Sequence, residues 1–442
     1  MKKYIINGGN NLKGEVKISG SKNVALKVLV AACLTEEEVE ISNAPLISDL
    51  YSMIELIKES GGEVKLEGHT VRIKMGKIKS SRIPFDIGAK VRTSFMLIAP
   101  LLLRTGKAIV PNPGGCRIGA RPIDRQIEGL EQMGTKIRYD SKDGYFHAVA
   151  EKLKGITYRF EKNTHTGTET LIMAASLAQG QTILLNTALE PEIDDLINLL
   201  NKMGAKIRRE EDRKIIIDGV HKLHGASIKI MPDRNELVTF AIASALTGGE
   251  IIIRGGDLNS IASFLEKFNE AGGKWEEVNS GIRFFLLSKE IKPTNITTEP
   301  HPGFMTDWQG PWAVLMTQAK GASTIHESIY ENRFSYVQEL EKMGAQIIPY
   351  HPKVKNPKEF YNFNYEDKKN NPMQAIKING HSQLHNAFIK TADLRAGATL
   401  VLAAMVAKGE SVIDDIGHLE RGYENFDGRL KSLGLNIKVL QD

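Results

Sequence analysis

The chain has 442 residues, which is more than one hydrophobic core normally supports, so two or more cores are expected. Its 58 basic and 53 acidic side chains are interspersed and leave a formal net charge of +5, which argues against a dedicated nucleic-acid-binding protein. Two cysteines, Cys33 and Cys116, make neither a disulfide scaffold nor a cysteine zinc cluster.

The N-terminal stretch and the apolar runs that follow it bear on the cellular location of the protein. The stretch YIINGGNNLKGEV, which follows Lys2 and Lys3, lacks the apolar region of a signal peptide. The apolar runs around Leu29 and Leu97 are too short to span a bilayer. We therefore expect a cytoplasmic protein, with Cys33 in the first apolar run as a core residue.

Charged residues recur where predicted apolar helices begin. The helix starts supply Lys22, Asn23, Arg92, His165, Arg234, Asp307 and Arg395. A helix N-terminus carries free N–H groups and a partial positive charge, so a basic residue there is best tolerated when an anion lies between. Lys22, Arg92 and Arg395 are therefore candidates for binding an anionic substrate. The alternative is an exposed basic side chain, which costs little at a helix start.

The segment PNPGGCRIGARP, residues 111–122, is a predicted loop, because its glycines and prolines sustain neither a helix nor a central strand. Arg117 and Arg121 flank Cys116 in this loop. Nearby guanidinium groups favour a reactive thiolate, and arginines without matching carboxylates indicate an anionic ligand. The alternative is a free cysteine packed under a surface loop.

One sequence pattern, the glycine phrase, repeats along the chain. It consists of the end of an apolar helix, a glycine, and the start of a strand. The spacings are 68–73 residues, except for the last, which is 90. These glycines are predicted to end their helices in the left-handed conformation. They are Gly61, Gly134, Gly204, Gly272, Gly344 and Gly434.

Each repeat is predicted to run strand, helix, strand, helix, and then one or two strands. Six such units predict an α/β protein with three units in each of two domains. The surplus in the last spacing falls in an Asn-, Lys- and Pro-rich stretch, residues 353–373, which we interpret as a solvated surface insertion.

The loops after the second strands carry further charges, among them Arg121, Arg333 and Arg421. Ligands of α/β proteins gather where strand ends meet helix starts, so these cations and those at the helix starts suit a substrate with several phosphates or carboxylates. Asp307 would then be a candidate base. The patterns of P-loop, HExxH and GxSxG enzymes are absent from the sequence, and we expect neither a metal nor a cofactor.

Over essentially its whole length the chain resembles the UDP-N-acetylglucosamine 1-carboxyvinyltransferases, the enolpyruvyl transferases that open peptidoglycan precursor synthesis. The motifs that carry the resemblance are GSKNVALK at Lys22, PGGCRIGARPID around Cys116, EPEI at Glu190, PDRNE at Asp233, PHPGFMTDWQ at Asp307, ENRF at Arg333, ADLRAG at Arg395 and ERGYE at Arg421.

The resemblance implies two inside-out α/β barrel domains, each of three repeated βαβα-type units, with a cleft between them. One domain would comprise residues 1–21 and 234–442, with the insertion at about 353–373. The other would comprise residues 22–233 and carry the Cys116 loop. The implied partners are small-molecule substrates, with no nucleic acid and no membrane, and the implied state is a monomer or weak homo-oligomer.

The resemblance also implies a reaction. The enolpyruvyl group of phosphoenolpyruvate moves to the 3′-hydroxyl of UDP-N-acetylglucosamine through a tetrahedral ketal, and phosphate is released. Asp307 would handle the hydroxyl proton. Cys116 would be the general acid at carbon and the target of the epoxide inhibitor fosfomycin. Lys22 and Arg395 complete the implied catalytic set.

Implied substrate contacts follow from the same motifs. Phosphoenolpyruvate would be bound by Lys22, Asn23, Arg121, Arg395 and Arg421. The nucleotide sugar would be bound by Asn23, Arg92, Arg121, Pro122, Ile123, Asp124, Arg125, His165, Thr166, Gly167, Asp307, Ile329 and Arg333.

The chain departs from the family pattern in three places. His165–Glu169 replaces a segment that usually reads serine-valine-glycine-alanine-threonine, Arg125 and Gln126 replace a leucine-histidine pair, and Val238 replaces a glycine. Three alternatives therefore stay open: a different nucleotide sugar as acceptor, a shikimate 3-phosphate enzyme, and a non-catalytic binding paralogue. The family of shikimate 3-phosphate enzymes lacks the cysteine loop, and Cys116, Asp307 and Lys22 are all present here.

Overall fold

The computed structural model describes residues 2–114, 119, 121–211, 213–288, 290–367 and 372–441. The chain folds into two units. The first unit comprises residues 1–19, 116–121 and 232–442, and the second comprises residues 20–115 and 122–231. The boundaries predicted from the sequence, at 21/22 and 233/234, lie two residues later than these.

The strands are short. In chain order they are β1 Lys2–Asn7, β2 Lys13–Lys17, β3 Glu38–Ser42, β4 Glu63–Glu67, β5 Thr70–Lys74, β6 Lys107–Pro111, β7 Lys136–Asp140, β8 Tyr145–Val149, β9 Thr157–Arg159, β10 Gln181–Leu185, β11 Lys206–Glu210, β12 Lys214–Asp218, β13 Ser227–Lys229, β14 Glu250–Arg254, β15 Gly273–Val278, β16 Gly281–Leu286, β17 Ile296–Thr297, β18 Ala322–His326, β19 Ile347–Tyr350, β20 Ala375–Asn379, β21 Phe388–Lys390, β22 Glu410–Asp414 and β23 Asn436–Gln441.

The α-helices alternate with these strands. They are α1 Lys22–Ala32, α2 Ser48–Glu59, α3 Phe85–Gly88, α4 Ile98–Thr105, α5 Asp124–Gln132, α6 His165–Ser176, α7 Pro191–Lys202, α8 Arg234–Leu246, α9 Ala262–Glu270, α10 Gln309–Thr317, α11 Val337–Lys342, α12 Pro357–Phe360, α13 Leu394–Val406 and α14 Phe426–Ser432. Short 3-10 helices are formed by Arg92–Leu97, Asn259–Ile261, Thr306–Trp308, Tyr365–Asp367 and Ile416–Arg421.

Each unit contains three small sheets in the described part of the chain. The second unit has the strand orders β13-β3-β5-β4, β6-β8-β7 and β11-β12-β10-β9. The first unit has β15-β16-β14-β2, β17-β18-β20-β19 and β21-β22-β1-β23. The sheet formed by β9 to β12 is one complete repeat. This agrees with the prediction of an α/β protein with three repeats per domain.

Two strands are exchanged between repeats where the chain passes from one unit to the other. Strand β2 pairs in parallel with β14, at Glu15 and Ile252 among other positions. Strand β13 pairs in parallel with β3, at Ile228 and Ile41 among others. One sheet therefore joins the two stretches that flank residues 20–231, and the other joins the two ends of that segment.

Helices form the core of each unit. Every residue of α8 and of α10 is buried, as are nearly all residues of α13, and these three helices pack against one another. In the second unit α1 and α6 are buried almost as completely. Cys33 lies at the end of α1 and is 1% exposed, which confirms the prediction that it is a core residue.

The repeated glycines end their helices as predicted. All six have φ between +94° and +106°, a region in which a Cβ atom is strained. The repeat phrase therefore marks a conformational requirement at the helix C-terminus. It also identifies six equivalent positions in the fold.

Candidate active site

Asp307 lies at the centre of a charged cluster in the first unit. It belongs to the 3-10 helix that precedes α10, and its two oxygens accept from different arginines. Arg333 Nη2 donates to Asp307 Oδ1 at 2.7 Å, and Arg395 Nε donates to Asp307 Oδ2 at 3.1 Å. Arg333 Nη1 also lies 3.8 Å from a carboxylate oxygen of Asp393.

The cluster keeps Asp307 ionised. Burial raises the pKa of this carboxyl, but Arg395 and Arg333 outweigh burial and lower the pKa to about 2. Arg395 Nη1 is buried and makes no hydrogen bond to any described residue. Because a guanidinium group is always charged, this atom is available to an anion without rearranging the Asp307 pair.

Arg395 is held by the start of α13. The side chain of Asp393 caps this helix by accepting from the N–H groups of Arg395 at 2.9 Å and of Ala396 at 3.1 Å. A small pocket opens at this position. Its lining consists of Thr306, Asp307, Gln309, Gly310, Arg333, Tyr336, Asp393, Arg395, Ala396 and Thr399.

Three other predicted residues of the first unit do not line this pocket. The Arg121 guanidinium carbon lies 5.6 Å from the centre of the Tyr330 ring, and Arg121 helps to lower the Asp307 pKa. Ile329 follows β18, and its N–H donates to Glu327 Oε1 at 2.8 Å. Arg421 ends a 3-10 helix and does not line the pocket.

In the second unit, Lys22 opens α1 and lies beside Asp49 in the first turn of α2. The Lys22 ammonium nitrogen is 2.8 Å from Asp49 Oδ2, and both side chains are largely buried. Asn23 is the next residue, and its carbonyl oxygen accepts from Lys27 Nζ at 2.6 Å.

His165 opens α6 and faces a buried carboxylate one turn along the helix. His165 Nε2 lies 3.3 Å from Glu169 Oε1, and Lys27 Nζ lies 3.4 Å from Glu169 Oε2. Glu169 is 0% exposed and Lys27 is 4% exposed. The two residues by which this segment departs most from the family pattern, His165 and Glu169, therefore contact each other.

The remaining predicted residues of the second unit lie at element starts. Arg92 opens the 3-10 helix that precedes α4. Asp124 and Arg125 open α5, directly after Pro122 and the buried Ile123. Thr166 and Gly167 form the first turn of α6, where the Thr164 hydroxyl accepts from the Gly167 N–H.

Cys116 and Arg117 lie outside the described residues. The prediction that Cys116 is a reactive thiolate therefore stays a prediction.

The structure revises one argument from the sequence. Lys22 and Arg395 were expected to tolerate the helix dipole because an anionic ligand lies between. A carboxylate of the same unit occupies that position in each case, Asp49 for Lys22 and Asp307 for Arg395. Lys22 and Asp49 lie at the starts of two helices of one repeat, whereas Asp307 and Arg395 lie at helix starts of two successive repeats.

A second group of possible ligand atoms lies on the β7–β8 hairpin. One ligand atom each of Asp140, Asp143 and His147 lies within 4.8 Å of the others. Asp143 already accepts from the Tyr145 N–H at 3.1 Å and contacts His147 Nε2 at 3.0 Å. These hydrogen bonds account for the cluster without an ion.

Several site residues were not found from the sequence. Thr306, Gln309, Tyr336 and Thr399 line the pocket, and Lys27 and Glu327 are buried charged residues beside predicted site residues. An unusual lysine within the apolar run VALKVLV was a usable signal for Lys27. Glu327 and Tyr336 have no sequence signal that separates them from ordinary residues at a strand end or a helix start.

The sequence is similar to those of known proteins over nearly its whole length. The model of the family "EPSP synthase (3-phosphoshikimate 1-carboxyvinyltransferase)" matches residues 6–430. A UDP-N-acetylglucosamine 1-carboxyvinyltransferase of Koribacter versatilis is 42% identical over 442 residues, with 99% of this chain and 96% of the relative covered. The protein of the same name from Magnetococcus marinus is 41% identical, and both chains are covered completely.

Solved structures show the same fold. The enolpyruvyl transferase NikO from Streptomyces tendae has a TM-score of 0.85 at 23% identity, and the match covers 100% of this chain and 99% of that one. EPSP synthase from Acinetobacter baumannii has a TM-score of 0.75 at 17% identity, with full coverage of both chains. Among the helices of the described residues, none is both long and apolar enough to cross a membrane.

Proposed function

This chain belongs to the EPSP synthase family of enolpyruvyl transferases and to its UDP-N-acetylglucosamine 1-carboxyvinyltransferase members, and we propose that it transfers the enolpyruvyl group of phosphoenolpyruvate to the 3′-hydroxyl of UDP-N-acetylglucosamine with release of phosphate. That reaction is the first committed step of peptidoglycan precursor synthesis. Because both substrates are cytoplasmic metabolites, we also propose a cytoplasmic location.

The observation that carries the proposal is the Asp307–Arg395 pair. A carboxylate that takes a proton from a sugar hydroxyl must lie beside the cations that bind the phosphorylated partner. Asp307 has two arginines within hydrogen-bonding distance. One of them, Arg395, is assigned to phosphoenolpyruvate and keeps its buried Nη1 for a further acceptor.

The same pair explains how the base could be activated. A carboxyl with a pKa of about 2 is a weak base, because Arg395 and Arg333 stabilise its charge. When the phosphate of phosphoenolpyruvate binds Arg395, the guanidinium charge is shared between two anions and the pKa of Asp307 rises. The base therefore becomes stronger when the second substrate is present.

We assign the proton transfers as the resemblance implies. Asp307 takes the proton of the 3′-hydroxyl while the hydroxyl oxygen bonds to C2 of phosphoenolpyruvate. Cys116 donates a proton to C3 to form a methyl group. A proton then leaves that methyl group as the C2–O bond to phosphate breaks, which restores the vinyl group. Lys22, Arg121, Arg395 and Arg421 would neutralise the phosphate and carboxylate during both steps.

The acceptor-binding residues are assigned as the resemblance implies. Asn23, Arg92, Arg121 to Arg125, and His165 to Gly167 are assigned to the nucleotide and diphosphate. Asp307, Ile329 and Arg333 are assigned to the sugar.

A second acceptor is favoured by one observation. His165 and Glu169 form a contact at the start of α6, where the family pattern has an uncharged segment. A different nucleotide sugar is therefore the alternative substrate.

The test is phosphate release from phosphoenolpyruvate with a panel of acceptors: UDP-N-acetylglucosamine, other UDP-sugars and shikimate 3-phosphate. We expect turnover only with UDP-N-acetylglucosamine. Asp307→Asn should reduce kcat by about 100- to 10,000-fold, the usual contribution of a general base. Phosphate release with shikimate 3-phosphate and none with any UDP-sugar would overturn the assignment.

A further inference from the structure

The insertion at residues 353–373 lies largely at the surface in its described part, as predicted, but it also contains a small aromatic core. In its described part, Tyr361 is 2% and Phe363 is 8% exposed. The Tyr361 ring centre lies 4.9 Å from that of Phe363 and 5.3 Å from that of Tyr365, and the two tyrosine rings are nearly parallel. The surrounding stretch is rich in Asn, Lys and Pro, so its composition does not indicate this core.

This aromatic core packs on the end of strand β18. The hydroxyl of Tyr361 lies 3.0 Å from His326 Nε2, and Phe360 stacks on the His326 ring with centres 4.8 Å apart. The backbone N–H of Asn362 then donates to the carbonyl oxygen of Ser328 at 2.7 Å.

The residue that follows the insertion also bonds to this segment. The N–H of Glu327 donates to the carbonyl oxygen of Gln374 at 2.8 Å. The backbone of residues 327 and 328 is thus bonded both to the middle of the insertion and to the residue that directly follows it. Ile329, which we assign to the sugar, is the next residue.

The Glu327 side chain connects the backbone of residues 327–330 to the lining of the pocket. It is 1% exposed, and its Oε1 accepts from the N–H groups of Ile329 at 2.8 Å and of Tyr330 at 3.1 Å. Its Oε2 accepts from the Thr306 hydroxyl at 2.8 Å, one residue before Asp307. One buried carboxylate therefore links the Ile329 turn to the segment that carries the base.

We propose that the described part of the insertion, residues 353–367, is an acceptor-positioning element that fixes residues 326–330 so that Ile329 meets the nucleotide sugar. The proposal rests on the proposed function, because it deepens the assignment of Ile329 to the acceptor. Of the residues assigned to phosphoenolpyruvate, Lys22, Asn23, Arg395 and Arg421 belong to other elements, whereas Arg121 approaches this segment at the Tyr330 ring, 5.6 Å away. Loosening the insertion should therefore weaken the binding of the acceptor more than the binding of phosphoenolpyruvate.

The test uses two substitutions of Tyr361 in the full chain and one control in the same insertion. Tyr361→Phe removes only the hydroxyl that contacts His326, and Tyr361→Ala also removes the ring. Lys358→Ala is the control, because Lys358 lies on the exposed face of the insertion in a surface pair with Glu366. Steady-state kinetics give KM for each substrate separately.

We expect Tyr361→Ala to raise KM for UDP-N-acetylglucosamine by about 10-fold or more, since one decade corresponds to about 1.4 kcal/mol of binding. Tyr361→Phe should raise it by about 2- to 5-fold, the value of one hydrogen bond. KM for phosphoenolpyruvate should change by less than about twofold in both variants, and Lys358→Ala should match the wild type in both constants.

Amide hydrogen exchange at Ser328, Ile329 and Tyr330 provides a readout that does not depend on turnover. Exchange should be faster in Tyr361→Phe than in the wild type. If Tyr361→Ala fails to fold, Tyr361→Phe decides the matter. Equal rises in both KM values would overturn the proposal. A lower melting temperature with unchanged kinetics and exchange would also overturn it. A wild-type enzyme that fails to use UDP-N-acetylglucosamine would instead contradict the proposed function, and the exchange data would still decide the role of the insertion.

Discussion

Lys27, Glu169 and His165 show how single buried charges depend on one another. Glu169 is completely buried, and Lys27 is the cation nearest to one of its oxygens at 3.4 Å. Lys27→Met would remove this cation and leave the His165 contact at the other carboxylate oxygen, 3.3 Å away. Removal of one partner of a buried pair typically costs about 3–5 kcal/mol of unfolding free energy.

We therefore expect Lys27→Met to lower the unfolding free energy by about that amount in urea denaturation. The double variant Lys27→Met/Glu169→Leu should recover most of the loss, because no unpaired charge remains. Equal destabilisation of the single and double variants would show that Lys27 acts by packing alone.

His165 makes the stability of this cluster depend on pH. Burial lowers the pKa of its imidazole, as does Lys27, but the charge and hydrogen bond of Glu169 together with Glu190 outweigh them, and the net pKa is raised above 6.5. A raised pKa means that the histidine adds stability below pH 6.5, and this stability is lost as pH rises through the folded-state pKa.

The matching experiment measures unfolding free energy from pH 6 to pH 8.5. The wild type should lose stability over the lower part of this range, and His165→Ser should show a flatter profile. Parallel profiles of the two proteins would remove His165 from the effect.

The two cysteines should differ in reactivity. Burial raises the pKa of the Cys33 thiol to about 12, although Arg104 opposes the shift, and Cys33 Sγ donates to the Leu29 carbonyl oxygen at 3.5 Å. A thiol of that kind is not a nucleophile at neutral pH.

We therefore predict that the epoxide fosfomycin alkylates Cys116 and spares Cys33. Mass spectrometry of peptides from the treated enzyme checks this, with Cys116→Ser as the control that should take up no label. Label on Cys33 in the native protein would contradict the prediction.

Among the elements, the six helix-ending glycines allow strain to be measured separately from packing. At Gly134, φ is +102°, and a Cβ atom would meet only the Lys152 carbonyl oxygen, at an ordinary 3.7 Å. Gly134→Ala should therefore cost about 1 kcal/mol of unfolding free energy through backbone strain alone.

Gly76→Ala is the matched control, because Gly76 does not have a positive φ and a Cβ atom there would meet nothing within 4 Å. We expect it to be neutral or slightly stabilising, since alanine restricts the unfolded chain. Equal effects at Gly134 and Gly76, measured by urea denaturation, would contradict the argument from strain.

The sequence predicted the repeating elements well, because the glycine phrase reports a local backbone requirement. It also identified Asp307, Arg395 and Lys22, which lie where loops meet helix starts. The exchange of β2 and β13 could not be predicted, since the strands KGEVK and SIK are equally suited to either sheet and tertiary topology decides the pairing. The link from Glu327 to Thr306 was hidden for the same reason.

For the whole molecule, the important difference between the units is continuity. All strands of the second unit, from β3 to β13, lie within residues 20–231. The first unit requires β1 and β2 from the N-terminus, and β1 lies between β22 and β23 in its sheet.

We predict that residues 20–231 expressed alone unfold cooperatively, whereas residues 232–442 alone do not. Circular dichroism during urea denaturation checks both fragments, and a synthetic peptide of residues 1–19 should restore cooperative unfolding to the second fragment. Cooperative unfolding of residues 232–442 without the peptide would contradict this argument.

The central place of β1 in the last sheet has a consequence for synthesis on the ribosome. Tyr4 pairs with both Ile413 and Val439, so the first strand to be made needs partners that are made last. At roughly 5–20 residues per second, the 442 residues take on the order of 20–90 s to assemble. During that interval β1 has an open hydrogen-bonding edge, and nascent chains that meet on one messenger can pair there with each other. Chaperone capture of the N-terminal segment would protect it until release.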